Sequence, residues 1–144
     1  MDDSIGTVAQ VQVSPVRRQP MTVLTQAEFR AGHGIEGDRH AGRTRFRQVL
    51  IMDSETQTEF GIDPAVTREN VTTTGLDISS LRRGMRVRLG ETAVVEITGD
   101  CDPCSQMDEA RPGLREDIAG RRGVLGRIVA DGKVRPGDAI VVDG

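Results

Sequence analysis

Both cysteines of the chain lie in one short stretch, Asp100-Cys101-Asp102-Pro103-Cys104-Ser105. They are its only soft nucleophiles, so thiol or metal–thiolate chemistry must pass through this turn. A thioredoxin-type dithiol needs such a pair to open a long helix inside a βαβ unit, and the flanking residues read as β instead. A zinc site needs two further ligands. Only His33 and His40 could join, and they precede the cysteines with six residues between them, outside the usual finger spacing. The third chemistry is a reactive thiolate at one cysteine, supported by the other. Ser105-Gln106-Met107-Asp108 matches a capping box, which sets Cys104 just before a helical turn, where the partial positive charge favours thiolate. Asp100, Asp102 and Asp108 oppose this by raising a thiol pKa, so Arg121-Arg122 must fold back to compensate. A buried, inert role suits Cys101 better than Cys104, which stands among more charges.

Three other segments carry groups suited to an anion. Gly32 to Gly42 (GHGIEGDRHAG) is glycine-rich and holds Asp38, Arg39 and His40; its glycines permit close backbone approach to a ligand. Arg68-Glu69-Asn70 can present donors to a phosphate, or bind loop carbonyls instead. Arg121-Arg122, flanked by glycines, reads most simply as a solvated pair. Each signal is weak alone and gains weight only by converging on the cysteine turn.

The elements that must position these groups are short and mostly β. Ile5 to Val13 alternates as a half-buried strand stopped by Ser14-Pro15, and Met21 to Leu24 makes a second. Ala27 to Ala31 reads as a helical turn or irregular. Phe46 to Met52 reads as a buried strand, followed by a short helix over Glu55 to Phe60 with Ser54 as its N-cap. Val71 to Thr74 is a strand by β-propensity, and Asp77 to Arg83 a helical turn. Met85–Leu89 and Ala93–Thr98 form a hairpin that delivers the cysteine turn. Leu114 to Ala119 is helical, and Gly123–Ala130 and Asp138–Val142 are strands either side of a turn holding Lys133. About seven short strands with few helices predict a mostly β barrel or sandwich, a single domain over residues 1–144.

Composition removes several functions. The chain has eighteen arginines and one lysine, Lys133, so Schiff-base catalysis has a single residue to choose from. A formal net charge of −3 with no Trp or Tyr gives no reason to expect nucleic acid or a membrane surface as partner. No apolar run approaches the ~18 residues of a transmembrane helix. The acidic start, Met1-Asp2-Asp3-Ser4, lacks the pattern of a secretory signal, so a cytoplasmic location is expected.

Taken in order, Gly34-Ile35-Glu36-Gly37-Asp38-Arg39-His40-Ala41-Gly42, Arg68-Glu69-Asn70 leading to Gly75, Asp102-Pro103-Cys104 and Gly120-Arg121-Arg122-Gly123 resemble the MOSC domain. This is the module at the C-terminus of molybdenum-cofactor sulfurases and in small stand-alone proteins. The resemblance implies a barrel-like MOSC fold that binds molybdenum cofactor (molybdopterin) or its sulfur. It casts Cys104 as the metal ligand and catalytic residue, or as a persulfide carrier. It sets Arg68 and Asn70 toward the cofactor's phosphate and pterin. Asp38, Arg39 and His40 would line the same pocket, with Arg121 and Arg122 as further cofactor-binding residues. The implied reaction is reduction of an N- or S-oxygenated small molecule. A sulfur carrier served by a separate cysteine desulfurase, or a non-enzymatic module that stores or delivers cofactor, are the alternatives. These residues hold no counterpart of the pyridoxal-dependent desulfurase of fused members, so the resemblance leads to the expectation that sulfur or electrons come from another protein.

Overall fold

The computed structural model describes residues 5–143. Eleven strands and three short helices follow one another along the chain: β1 (Gly6–Val13), β2 (Thr22–Leu24), β3 (Ala27–Arg30), β4 (Gly34–Ile35), β5 (Val49–Asp53), α1 (Ser54–Glu59), β6 (Val71–Thr74), β7 (Arg86–Leu89), β8 (Ala93–Asp100), α2 (Ser105–Ala110), α3 (Leu114–Asp117), β9 (Val124–Ala130), β10 (Gly132–Val134) and β11 (Ala139–Asp143). Seven of the strands close a barrel in the order β1-β11-β7-β8-β9-β5-β6 and back to β1. All pairs are antiparallel except β5–β6, whose connection carries α1. Closure leaves no open edge among these strands. β2 extends β1 outward, and β10-β3-β4 form a small side sheet.

Alternation explains the barrel. Along β7 and β8 every second residue is buried (Val87, Leu89; Ala93, Val95, Ile97), and these side chains meet Val11, Ile51, Val71, Val124, Ile128 and Ile140 inside. A second, smaller cluster of Met52, Met107, Leu114 and Ile118 lies outside the barrel, with Phe60 and Ile62 against it. Each such burial is worth about 1.5–3 kcal/mol. That cluster holds α2 and α3 down, and so holds the cysteine turn at the end of β8.

Several local expectations are corrected. Ala27–Arg30 is a strand, not a helical turn, because β10 pairs with it from a hundred residues away. Lys133 sits in that same pairing rather than in a turn. The strand expected from Phe46 begins at Val49, and Phe46 is 62% exposed. Asp53, not Ser54, caps α1, its carboxylate accepting the Thr56 N–H. The cap of α2 falls one residue earlier than the expected Ser105. Cys104 itself is the N-cap residue, with no side-chain bond, and Asp108 accepts the Arg115 N–H at 3.0 Å instead.

Candidate functional site

One hollow of about 80 Å³ is lined by residues from five separate segments, among them Asp38, Arg39, His40, Arg68, Asn70, Cys104 and Arg122. Four arginines (Arg39, Arg47, Arg68, Arg122) face it against one carboxylate, Asp38. The hollow is small and open to solvent on one side.

Asp38 is buried and acts as the frame. Its carboxylate accepts hydrogen bonds from the Ser14 N–H (2.9 Å), the His40 N–H (3.2 Å) and Asn70 Nδ2 (3.3 Å), and it faces His40 Nδ1 at 3.1 Å. Burial by itself raises the carboxyl's pKa. The hydrogen bonds from His40 and Ser14 and the His40 charge outweigh it and hold the group below its ordinary value. The same contact holds the His40 ring through Nδ1, and His40 lines the hollow.

Asn70 belongs to this frame. Its Oδ1 accepts the Leu50 N–H (3.0 Å), while Nδ2 donates to the Gln12 carbonyl (3.2 Å) and to Asp38. Both amide protons are thus committed within the protein, so Asn70 clamps β5 to the strand holding Gln12 and has no donor left for a ligand. Glu69 points the other way and is fully buried. It accepts from Gln57 Nε2 (2.5 Å), Ala65 N–H (3.0 Å), Thr67 Oγ1 (2.7 Å) and Thr72 Oγ1 (2.6 Å).

The arginines differ in what they have left. Arg68 adopts a left-handed backbone, φ 63°, and spends Nη1 on the Gln19 carbonyl and Nη2 on Ser14 Oγ, both at 2.6 Å. Burial, and then repulsion from Arg39, lowers its pKa, with Asp38 and Cys104 pulling it back up. Arg39 has its Nε buried without a partner. Arg122 is the extreme case. It is 3% exposed, makes no ion pair among the described residues, and leaves both Nε and Nη1 without a partner. Burial lowers its pKa; attraction from Cys101, Cys104 and Glu69 opposes that, and Arg47 adds to it. Arg122 also lines the hollow, so its cationic side chain stands where an anion could be held.

Arg122 is aimed by its neighbour. Gly123 sits at φ 105°, and a Cβ there would lie 2.5 Å from the Ile51 carbonyl oxygen. Only glycine lets β9 start this close to β5, and that approach turns the preceding side chain inward. Arg121 goes elsewhere. It pairs with Glu59 (2.5 Å), donates to Thr56 Oγ1 (3.1 Å), stacks over Phe60, and lines a second hollow of about 300 Å³ beyond Gly123. The expectation that both arginines share one pocket is corrected: consecutive residues on an extended chain face opposite sides.

Cys104 is exposed and free, at the start of α2 and on the rim of the hollow. Cys101 is buried, its N–H bonded to the Gly123 carbonyl (3.0 Å) and its thiol turned back toward the Asp102 carbonyl (3.7 Å). No group of three or more His, Cys, Asp or Glu among the described residues could hold a metal. A metal at Cys104 would therefore have to bring its other ligands with it. Ser14, Met21, Arg47 and Gln106 also line the hollow and were not expected there. Ser14 reads in sequence only as the end of a strand. Arg47 offered a signal, standing third in the alternation Arg43, Arg45, Arg47.

The sequence profile of the MOSC domain matches residues 38–141. The fold is similar to the crystal structure of the YuaD protein from Bacillus subtilis, with a TM-score of 0.82 and 24% identity over 95% of this chain and 94% of that one. It is also similar to YiiM from Escherichia coli (TM-score 0.70, 19% identity, 100% of this chain and 71% of that one). YiiM from Geobacillus stearothermophilus gives 0.68 and 18%, over 99% of this chain and 74% of that one. No curated protein sequence matches. With the profile spanning well over half of its length on a seven-stranded barrel, the chain belongs to the MOSC domain family.

Proposed function

We propose that this protein binds a molybdenum–pterin cofactor at the arginine-lined hollow, with Cys104 as the protein's ligand to the metal, and reduces N- or S-oxygenated small molecules. The family is associated with that cofactor. The observation that supports the reading is the lining of the hollow, where Arg122, a buried guanidinium with no ion pair among the described residues, stands with Arg39, Arg68 and the exposed thiol of Cys104. The donor set suits the group. Its phosphate and dithiolene are anionic, which matches four arginines, and its metal prefers soft ligands, which matches a thiolate. The dithiolene also brings the ligands that the protein lacks.

Bound there, the metal would supply two-electron removal of an oxygen atom. The balance is R2NOH + 2 e⁻ + 2 H⁺ → R2NH + H2O, so a separate electron-transfer protein must supply the electrons. The chain's own part is to bind and orient. Arg39 and Arg122 would neutralise the anion, Arg68 holds the Ser14–Gln19 segment against the rim, and Asp38 holds His40, a lining residue of the hollow that would serve as proton donor or acceptor. The reading requires Cys104 to stay reduced, which accords with a cytoplasmic setting.

Protein purified from a host that makes the cofactor tests this. Metal analysis should find molybdenum near one atom per chain, and a Cys104→Ala variant should lose the metal while keeping part of the pterin, read by fluorescence after oxidation. Molybdenum no higher than in the Cys104→Ala control would remove the reading. The exposure of Cys104 favours a second one, a persulfide carrier charged by a cysteine desulfurase. It predicts one added sulfur atom on Cys104 by mass spectrometry, and an unchanged mass after incubation with desulfurase and cysteine removes it.

A further inference from the structure

Two segments flank the mouth of the hollow. Residues 14–21 join β1 to β2, and Ser14 and Met21 at their ends line it; residues 39–48 lead into β5, and Arg39, His40 and Arg47 line it. Neither segment contains an Asp or Glu, yet together they hold six of the chain's eighteen arginines. Arg17, Arg18, Arg43 and Arg47 are exposed, and none makes an ion pair among the described residues. This local excess stands out in a chain of net charge −3.

The first segment is also held rigidly, at a conformational cost. The Gln19 N–H donates to the Val16 carbonyl (3.3 Å) and closes a four-residue turn with Arg17 and Arg18 at its tip. Arg18 has φ 64° in the third position, a conformation that such a turn ordinarily gives to glycine. Pro15 and Pro20 bracket the turn, and Arg68 grips its Gln19 carbonyl from the hollow. Strain held in place by the surroundings, at an exposed tip with no packing in return, points to a role for the tip. Val16 beside it is 56% exposed, Val23 on β2 57%, and Phe46 in the second segment 62%. Arginine with exposed apolar side chains is the composition of protein interfaces.

We infer that the Arg17-Arg18 turn is a docking element for a protein partner with an acidic surface, seated beside the mouth of the hollow. The inference rests on the reading above that electrons or sulfur reach Cys104 from another protein. A protein suits the surface better than a polyanion does. The chain has neither Trp nor Tyr for stacking bases, and α2 and α3, which follow Cys104, carry exposed Asp108, Glu109 and Glu116, which repel an extended polyanion.

The test uses the full chain and a small acidic flavin-mononucleotide electron-transfer protein as probe, with affinity read by biolayer interferometry at low salt and at about 0.15 M. Binding should weaken with salt, and Arg17→Glu/Arg18→Glu should weaken it about tenfold or more. Arg82→Glu/Arg83→Glu, the same charge change at another exposed arginine pair, should alter it less than about twofold. Arg18→Gly gives a second check, because it should raise the melting temperature by relieving the turn while still weakening docking. No measurable binding of the probe at low salt would overturn the inference. So would equal losses in both arginine pairs, or tighter binding of duplex DNA or anionic vesicles than of the probe. Molybdenum content is measured in the same samples. A docking loss specific to Arg17 and Arg18 in protein without molybdenum keeps this inference and rejects the cofactor. Molybdenum with no docking does the reverse.

Discussion

Replacing Arg122 with Met should make the cofactor-free protein more stable. The side chain is 3% exposed, and its Nε and Nη1 have no partner. Each buried donor left unsatisfied costs about 1–3 kcal/mol. Methionine has a similar reach and no polar atom; the smaller volume returns about 1 kcal/mol of cavity cost. Loss of the cation also removes an attraction for Glu69, but that carboxylate keeps its four hydrogen bonds. The net gain is about 1–3 kcal/mol, or roughly 3–10 °C in melting temperature for a domain of this size. Scanning calorimetry in chloride buffer, on protein from a host unable to make the cofactor, measures it. The variant should at the same time fail to gain stability from added inorganic phosphate, which should stabilise the wild type by mass action. A fall in melting temperature of more than a few degrees would refute the reasoning, because it would mean that the guanidinium is already satisfied by the fold.

Three further outcomes follow from the geometry. Gly123→Ala should destabilise by about 3 kcal/mol or more, read by urea unfolding, because its Cβ would meet the Ile51 carbonyl oxygen at 2.5 Å and its φ is 105°. Arg121→Met, on the other face, should cost less than about 1 kcal/mol, since its ion pair with Glu59 is solvent-exposed; pterin content should be unchanged. Asp38→Asn should cost about 1.5–3 kcal/mol near neutral pH through its charge-assisted hydrogen bonds. Because the folded-state pKa of Asp38 is lowered, its contribution is present above the unfolded value of about 3.9 and is lost as pH falls through the folded one. The wild type should therefore lose stability relative to Asp38→Asn only on acidification below about pH 4, measured by melting temperature against pH.

The barrel was legible in the sequence because alternation in Arg86–Leu89 and Ala93–Thr98 is a local property that the closed sheet preserves. The elements that were misjudged are those fixed from a distance. Ala27–Arg30 is too short to announce its period, and becomes a strand because Gly132–Val134 pairs with it. Phe46 looked like the start of a buried strand, but Gln48 ends the preceding loop by accepting the Ile128 N–H and donating to the Thr44 carbonyl, so the strand starts after it. Convergence of the candidate segments on one hollow could be stated only as a condition. Nothing in Gly120-Arg121-Arg122-Gly123 says which arginine turns inward; the answer lies in how tightly Gly123 approaches Ile51.

Residue type also could not separate groups that build the hollow from groups that would meet a ligand, and hydrogen-bond accounting does. Asp38 and Asn70 are polar, buried and suitably placed, yet their bonds close on the protein: to Ser14, Leu50, Gln12 and each other. Arg68 has two of its donors bound to the chain. Arg39 and Arg122, less distinctive in sequence, keep buried donors with no partner. Buried donors in a folded protein are nearly always satisfied, and Arg111 Nε, which does not line the hollow, is a further exception, so the accounting bears on a ligand only for residues that line the hollow. Within the hollow, then, Arg39 and Arg122 are the arginines with buried donors to spare, while Arg68 and Asn70 set the shape of its wall.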